Sequence, residues 1–222
     1  MTDLPLIAQP LFYALAIPAV LMVGITKAGV GGSNVLGVAL MSMAVSVPQA
    51  AAILLPIICV ADLFGLYVFW KQWDIRNLKI IIPGATAGVI VGALTFRYLD
   101  SSVIKLILGL IALWFATAQL LPFKRRGGTK PAVGGLVRGT FWSTICGYTS
   151  FVAHAGQVPL SVFLIPQRLD KTVYLGTIAI FYAYLNYFKL LPFWWLGQLN
   201  LTNVATSVVM MPLVPTLRIR RF

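Results

Sequence analysis

The sequence predicts an all-α, polytopic membrane protein of about eight transmembrane segments, built as two inverted-topology repeats with broken or re-entrant helices. Three observations predict it. Of 222 residues, 59% are hydrophobic and only 10% are charged, where a soluble domain carries about 25% charged residues. Apolar runs recur along the whole length, as a bilayer core of about 30 Å requires of each crossing helix. Two polar, small-residue stretches interrupt those runs at corresponding places in the two halves. A β-barrel would instead alternate apolar and polar residues within ten-residue segments, and a signal peptide explains one apolar run but not many. The net charge of +12 does not point to nucleic acid, because the cations sit between apolar segments and not on a soluble face.

The apolar segments are, in order, 10–26, 30–46, 49–70, 79–97, 103–121, 134–150, 152–166, 172–195 and 203–217. Around 24–34 and 147–171 the pieces are short and read equally well as re-entrant hairpins, so the count stays at about eight. The loops set the orientation. Lys71, Arg76 and Lys79 make one loop basic, Lys124, Arg125, Arg126 and Lys130 another, and Arg218, Arg220 and Arg221 the tail. Residues 1–9 and Leu196–Asn203 carry no cation. Positive loops stay in the cytoplasm, which places the N-terminus outside and the C-terminus inside a cell (inner or plasma) membrane. A hairpin in place of two spans leaves that parity unchanged.

Residues 1–222 form a single membrane domain: repeat one over 10–97, a connecting span and cytoplasmic loop over 98–131, and repeat two over 132–222. GITKAGVGGSN (Gly24–Asn34) is answered by GYTSFVAHAGQVP (Gly147–Pro159), Asp62 and Trp70 by Asn186 and Trp194, and QWDIRN (Gln72–Asn77) by QLNLTN (Gln198–Asn203). The order is kept at a nearly constant offset. Because the first of the two last loops is basic and its echo uncharged, the copies should face opposite sides. Inverted repeats with helices broken at the midplane mark secondary transporters. The final SVVMMPLVPTLRIRRF reads as a shortened counterpart of IIPGATAGVIVGALTFRYLD.

The interruptions carry the candidate site. Irregular backbone at membrane depth is tolerated only where protein or a watery cavity receives its polar groups, and an intramembrane lysine costs at least about 2.5–3.5 kcal/mol. Lys27, the backbone at Gly29, Gly31 and Gly32, and the side chains of Ser33 and Asn34 therefore form a candidate anion cradle. The plainer reading has Lys27 snorkelling to the surface and the glycines permitting close helix packing. In the second stretch the candidates are Thr149, Ser150, His154 and Gln157. His154 is the one histidine, either a proton-sensitive hydrogen-bond partner or a structural group. Asp62, the one carboxylate well inside an apolar span, should pair with a cation such as Lys27 or carry a proton. Its counterpart Asn186 is neutral. Lys189, one turn further, either joins that polar face or snorkels to the outer interface, and the interface is favoured. Cys59 and Cys146 lie within spans and read as small buried hydrophobes. No Ser/His/Asp set and no metal-ligand set is present, so the expectation is a protein that is not an enzyme, with no metal site and no cofactor.

With its glycine-rich stretch and lysine at Gly24–Asn34, its GYTSFVAHAGQVPLSVFLIPQRLDK at Gly147–Lys171, and the run from Gly176 and Thr177 through Asn186 to Lys189, the chain resembles the sulfite exporter TauE/SafE family of membrane permeases. Gln157 departs from the family, which commonly has a second glycine there. The resemblance implies two inverted repeats and transport, as a permease or exporter, of sulfur-containing anions such as sulfite or organosulfonates. The expected partners are a small anionic substrate and the lipid bilayer, not nucleic acid, with self-association into a homo-oligomer left open. The rival readings are a non-transporting membrane scaffold, which has no use for buried Lys27 and Asp62, and an anion channel, which non-saturating flux would distinguish.

Overall fold

A computed structural model of the chain describes residues 6–7, 9–27, 33–98 and 135–214, with 102–104, 106, 109, 110, 113 and 117 between them. The described elements are helices: α1 (Pro10–Lys27), α2 (Ser33–Met41), α3 (Val47–Val68), α4 (Ile75–Thr95), α5 (Leu136–Ala153), α6 (Gln157–Leu164), α7 (Lys171–Trp195) and α8 (Leu201–Met210). Short 3-10 turns follow α4, α6 and α8. Apart from the isolated positions above, the expected crossing at 103–121 and the loop at 123–131 lie outside the described residues, as does the tail at 218–222.

Several helix starts have a local cause. Ser46 caps α3 by accepting from Gln49 N at 3.3 Å, with a proline in the first turn. Asp74 caps α4 through Arg76 N and Asn77 N, and Asn200 caps α8 through Asn203 N at 2.9 Å. The QWDIRN and QLNLTN echo is thus a repeated capping signal, an Asx side chain satisfying first-turn amides. Asp170 does the same for α7 through Thr172 N at 2.9 Å, a bond that holds its carboxyl below the ordinary range.

The first three helix lengths recur in order, 18, 9 and 22 residues for α1 to α3 and 18, 8 and 25 for α5 to α7, whereas α4 has 21 residues and α8 has 10. By length and apolarity α3 and α4 are fit to cross a membrane. At about 1.5 Å per residue, α2 and α6 are roughly 12–14 Å long, less than half a bilayer core. The segments expected at 30–46 and 152–166 are therefore half-helices. Likewise α8 stops at Met210 before a 3-10 turn, short of the span expected at 203–217.

Contacts fix the directions. Gly84, Gly88 and Gly92 of α4 pack in turn on Ser143, Thr144 and Phe151 of α5, so the two helices run parallel and begin at the same end. The approach is close enough that a Cβ on Gly88 would strike the Thr144 carbonyl, and one on Gly147 the Ala85 carbonyl. Such small-residue seams let membrane helices approach backbone to backbone. Near the beginning of α5, Gly139 meets Phe163 at the end of α6, and Gln167 just beyond exchanges hydrogen bonds of 3.0 Å with Asn77 at the start of α4. The chain through α5 and α6 accordingly leaves and returns at one end of the bundle.

By contrast, α3 and α7 run antiparallel: Cys59 lies by Tyr187, Asp62 by Asn186, Gly65 by Ala179, and Gln72 by Gly176. α8 runs parallel to α3, with Gln49 on Asn203 and Ile53 on Ser207. α4 runs parallel to α7, with Asp74 on Thr177 and Thr86 on Tyr184. The middle of α3, including Ile53, Leu54, Leu55 and Ile57, is fully buried. Its outer face at Leu63, Phe64 and Tyr67 is exposed and apolar, as a helix bordering lipid can be.

Candidate functional site

Between α3 and α7, at the second helix break, lies a cavity of about 120 Å³. Six of the residues singled out from the sequence line it: Asn34, Asp62, Ser150, His154, Gln157 and Asn186. They come from five elements, and the helix directions above bring them together. The sequence reading missed Gly65 of α3 and Phe69 just beyond its end, and a stretch of α7 that includes Tyr174, Ile178 and Tyr182, all of which line the cavity. A signal for them existed. Tyr174, Ile178, Tyr182 and Asn186 recur every four residues, which is one face of a helix, and Asp62, Gly65 and Phe69, spaced by three and then four, do the same along α3 and its C-cap.

At the centre, Asn186 Nδ2 donates to Asp62 Oδ2 at 2.7 Å, with both residues almost wholly buried. The carboxylate thus meets the residue that the sequence analysis matched to it. The expected pairing with Lys27 cannot be placed, because the Lys27 side chain lies outside the described residues. The same holds for Gly29, Gly31, Gly32 and the side chain of Ser33. Lys27 closes α1 and Ser33 opens α2, so the expected interruption falls between two separate helices.

The second break is fully described. α5 stops at Ala153, and His154 adopts the left-handed conformation at φ 52° and ψ 28°, which costs a non-glycine residue about 1–2 kcal/mol. Tertiary bonds hold it there. Its Nε2 lies 3.0 Å from Ala51 O of α3, its Nδ1 lies 2.9 Å from Lys189 Nζ of α7, and its ring stacks on Phe193. Gly156 follows because a Cβ there would meet the Cys146 carbonyl and sulfur.

Two expectations are corrected. Lys189 does not snorkel to the interface. It is fully buried, and Nζ reaches Ser150 O and Ser150 Oγ, each at 3.1 Å, besides His154 Nδ1. Ser150 O keeps the His154 amide of its own helix at 3.1 Å and offers Lys189 its second lone pair, and with the Ser150 hydroxyl and the His154 ring it outcompetes the distant headgroups. Thr149 does not face the cavity. Its hydroxyl bonds back to Ile145 O at 2.8 Å within α5, a habit of threonine in helices, and one residue on, Ser150 takes the cavity face. Cys59 and Cys146 are buried free thiols, Cys146 Sγ lying 3.7 Å from Tyr182 Oη. Every buried side-chain nitrogen and oxygen among the described residues has a hydrogen-bond partner.

Chemically, the cavity offers neutral hydrogen-bonding groups around one carboxylate, with a buried ammonium one layer behind. Comparison with known proteins adds one finding. The family model described as Sulfite exporter TauE/SafE matches residues 12–218. No curated protein and no solved structure matches the chain.

Proposed function

The chain belongs to the sulfite exporter TauE/SafE family, and on that premise we propose a secondary transporter that holds one small anion in the cavity between α3 and α7 and moves it by shifting one half of the chain against the other. As a family member it is an integral membrane transporter of sulfur-containing anions. The finer reading is sulfite or a small organosulfonate as substrate, bound by Ser150, Gln157, His154 and Asn34, with Lys27 and the glycines at 29, 31 and 32 closing the first-repeat side. The observation that carries it is the convergence of six polar residues, chosen from sequence alone, on one cavity. An apolar cavity of about 150 Å³ accommodates benzene, so about 120 Å³ has room for an oxyanion of four or five heavy atoms.

Support for two inverted repeats comes from the directions of equivalent helices. A two-fold axis in the membrane plane makes counterparts antiparallel. α3 and α7 are antiparallel and cross where the counterparts Asp62 and Asn186 touch. The same axis would exchange the parallel pair α3 and α8 with the parallel pair α7 and α4. The parallel course of α4 and α5 is what a returning crossing at 103–121 would produce. With the basic loops cytoplasmic, α4 and α5 begin on the cytoplasmic side. Asp62, facing Asn186, Tyr182 and the His154 wall, is the coupling carboxylate in this reading. Thermal-shift screening of the purified protein against sulfite, thiosulfate, sulfoacetate, sulfate and acetate tests it, since ligands of the folded state raise its stability. Stabilisation by a sulfur oxyanion and not by acetate is expected. No response to any of them, with no saturable flux in proteoliposomes, would refute it.

A further inference from the structure

Lys189 is the most deeply placed cation among the described residues, yet it does not line the cavity. Three of its contacts fix where the protons between them lie. Ala51 O can only accept, so His154 Nε2 must carry the proton of that 3.0 Å bond. One proton then remains to be shared between Lys189 Nζ and His154 Nδ1, 2.9 Å apart. Nζ already gives a proton to Ser150 O and to Ser150 Oγ, and serving Nδ1 as well takes a third, which places it on the lysine. The ammonium then has three protons for three acceptors: Ser150 O, Ser150 Oγ and His154 Nδ1. This arrangement leaves Ser150 Oγ as an acceptor toward Lys189, so its own hydroxyl proton has to point elsewhere. Ser150 is 2% exposed, lines the cavity, and has no acceptor for that proton among the described residues.

Resting on the anion reading above, we propose that Lys189 is a positioning residue of the cavity: without touching the anion, it turns the Ser150 hydroxyl toward it and, with Ala51 O on the other ring nitrogen, holds His154 as the Nε2–H tautomer. The lock also ties the halves together. His154 belongs to the break of the second half, Lys189 to α7 of that half, and Ala51 to α3 of the first half. The imidazole therefore carries one continuous chain of hydrogen bonds from α7 through the break to α3. A serine hydroxyl already receiving a bond from an ammonium is a stronger donor, because charge-assisted chains polarise their members. The anion thereby feels the lysine through Ser150 while the charge itself stays packed in protein.

A single histidine in the chain makes the lock directly readable. Protein carrying ¹⁵N-imidazole histidine, reconstituted in lipid, gives one pair of ring nitrogens. Nδ1 should be bare and Nε2 protonated; in Lys189→Met the Ala51 carbonyl still holds the Nε2 proton, but Nδ1 loses its ammonium donor and its resonance should shift downfield, while Ser150→Ala leaves it in place. A protonated Nδ1 in the native protein would overturn the proposal without any variant. The second readout is sulfite affinity by thermal shift. Ser150→Ala and Lys189→Met should each weaken it about tenfold or more, and the double variant should be no weaker than the worse single one, because lysine acts through serine. Additive losses would show an independent role for Lys189 and sink the proposal. If Lys189→Met does not fold, Lys189→Gln takes its place in the same cycle. A native protein that shows the expected tautomer but no response to sulfite or thiosulfate supports the lock and refutes the anion reading, so the two failures are distinguishable.

Discussion

Asn186→Leu removes the donor from the centre of the molecule while keeping its γ-branched outline. Asn186 is 3% exposed and Asp62 2% exposed, and their bond is 2.7 Å long. Between neutral groups in a membrane, an interhelical hydrogen bond is worth about 0.6 kcal/mol and at most about 1.7 kcal/mol. A bond to a charged acceptor is worth about 1.5–3 kcal/mol, and a buried charge stripped of its partner costs about 3–5 kcal/mol. Asp62 retains a further interaction, so the loss should fall at about 2–3 kcal/mol. For a chain of this size that corresponds to a fall in Tm of roughly 4–12 °C. Asp62→Asn keeps an acceptor oxygen and should cost less than about 1 kcal/mol. The double change of Asp62→Leu with Asn186→Leu should cost less than Asn186→Leu alone, because no stranded carboxylate remains. Thermal unfolding can be followed by the labelling of the two buried thiols, Cys59 and Cys146, in one detergent throughout. An Asn186→Leu protein within about 1 kcal/mol of the native one, or a double variant worse than it, would refute the reasoning.

Gly88→Val should loosen or block the α4–α5 seam, since its Cβ meets the Thr144 carbonyl and Tyr148 amide of α5. Overpacking of this kind costs about 1–3 kcal/mol, and an unchanged unfolding midpoint would contradict it. In proteoliposomes, Asp62→Asn should transport with an altered pH profile, and a profile identical to the native one would remove the coupling role and leave only packing. Lys27→Ala should abolish anion binding and Lys27→Arg weaken it, because a planar guanidinium replaces a compact ammonium badly. Intact binding in the alanine variant would end the cradle reading. A cysteine at Gly127 should resist impermeant labelling from outside intact cells, in keeping with a cytoplasmic basic loop, and efficient labelling would reverse the orientation.

What the sequence by itself determined is local. Apolar runs bounded by caps placed the long helices within a few residues, as at 49–70 against Val47–Val68 and 172–195 against Lys171–Trp195. The echo of QWDIRN in QLNLTN was legible, and the structure shows what it encodes: Asp74 and Asn200 cap α4 and α8, a local matter because a cap depends only on the next three amides. The interruption before Asn34 and the one around His154 were legible because glycine and small polar residues are costly within an apolar run and so mark departures from regular helix. Of the polar residues expected in one site, Asn34, Asp62, Ser150, His154, Gln157 and Asn186 line a common cavity and Thr149 does not. Only the tertiary structure decided where each side chain ends. A lysine stem is long enough to reach either a headgroup or a neighbouring helix, and Lys189 was settled by Ser150 and His154, 39 and 35 residues away in sequence. Thr149 and Ser150 are adjacent and chemically alike, yet α5 turns about 100° between them, and the packing of α5 against its neighbours chose which one faces the cavity. The shortness of α2 and α6 was likewise undecided, since an apolar run pairs as well with protein as with lipid. Here α6 ends against Gly139 and Asn77, a contact between distant parts of the chain, and such contacts are what hydrophobic pattern alone does not encode.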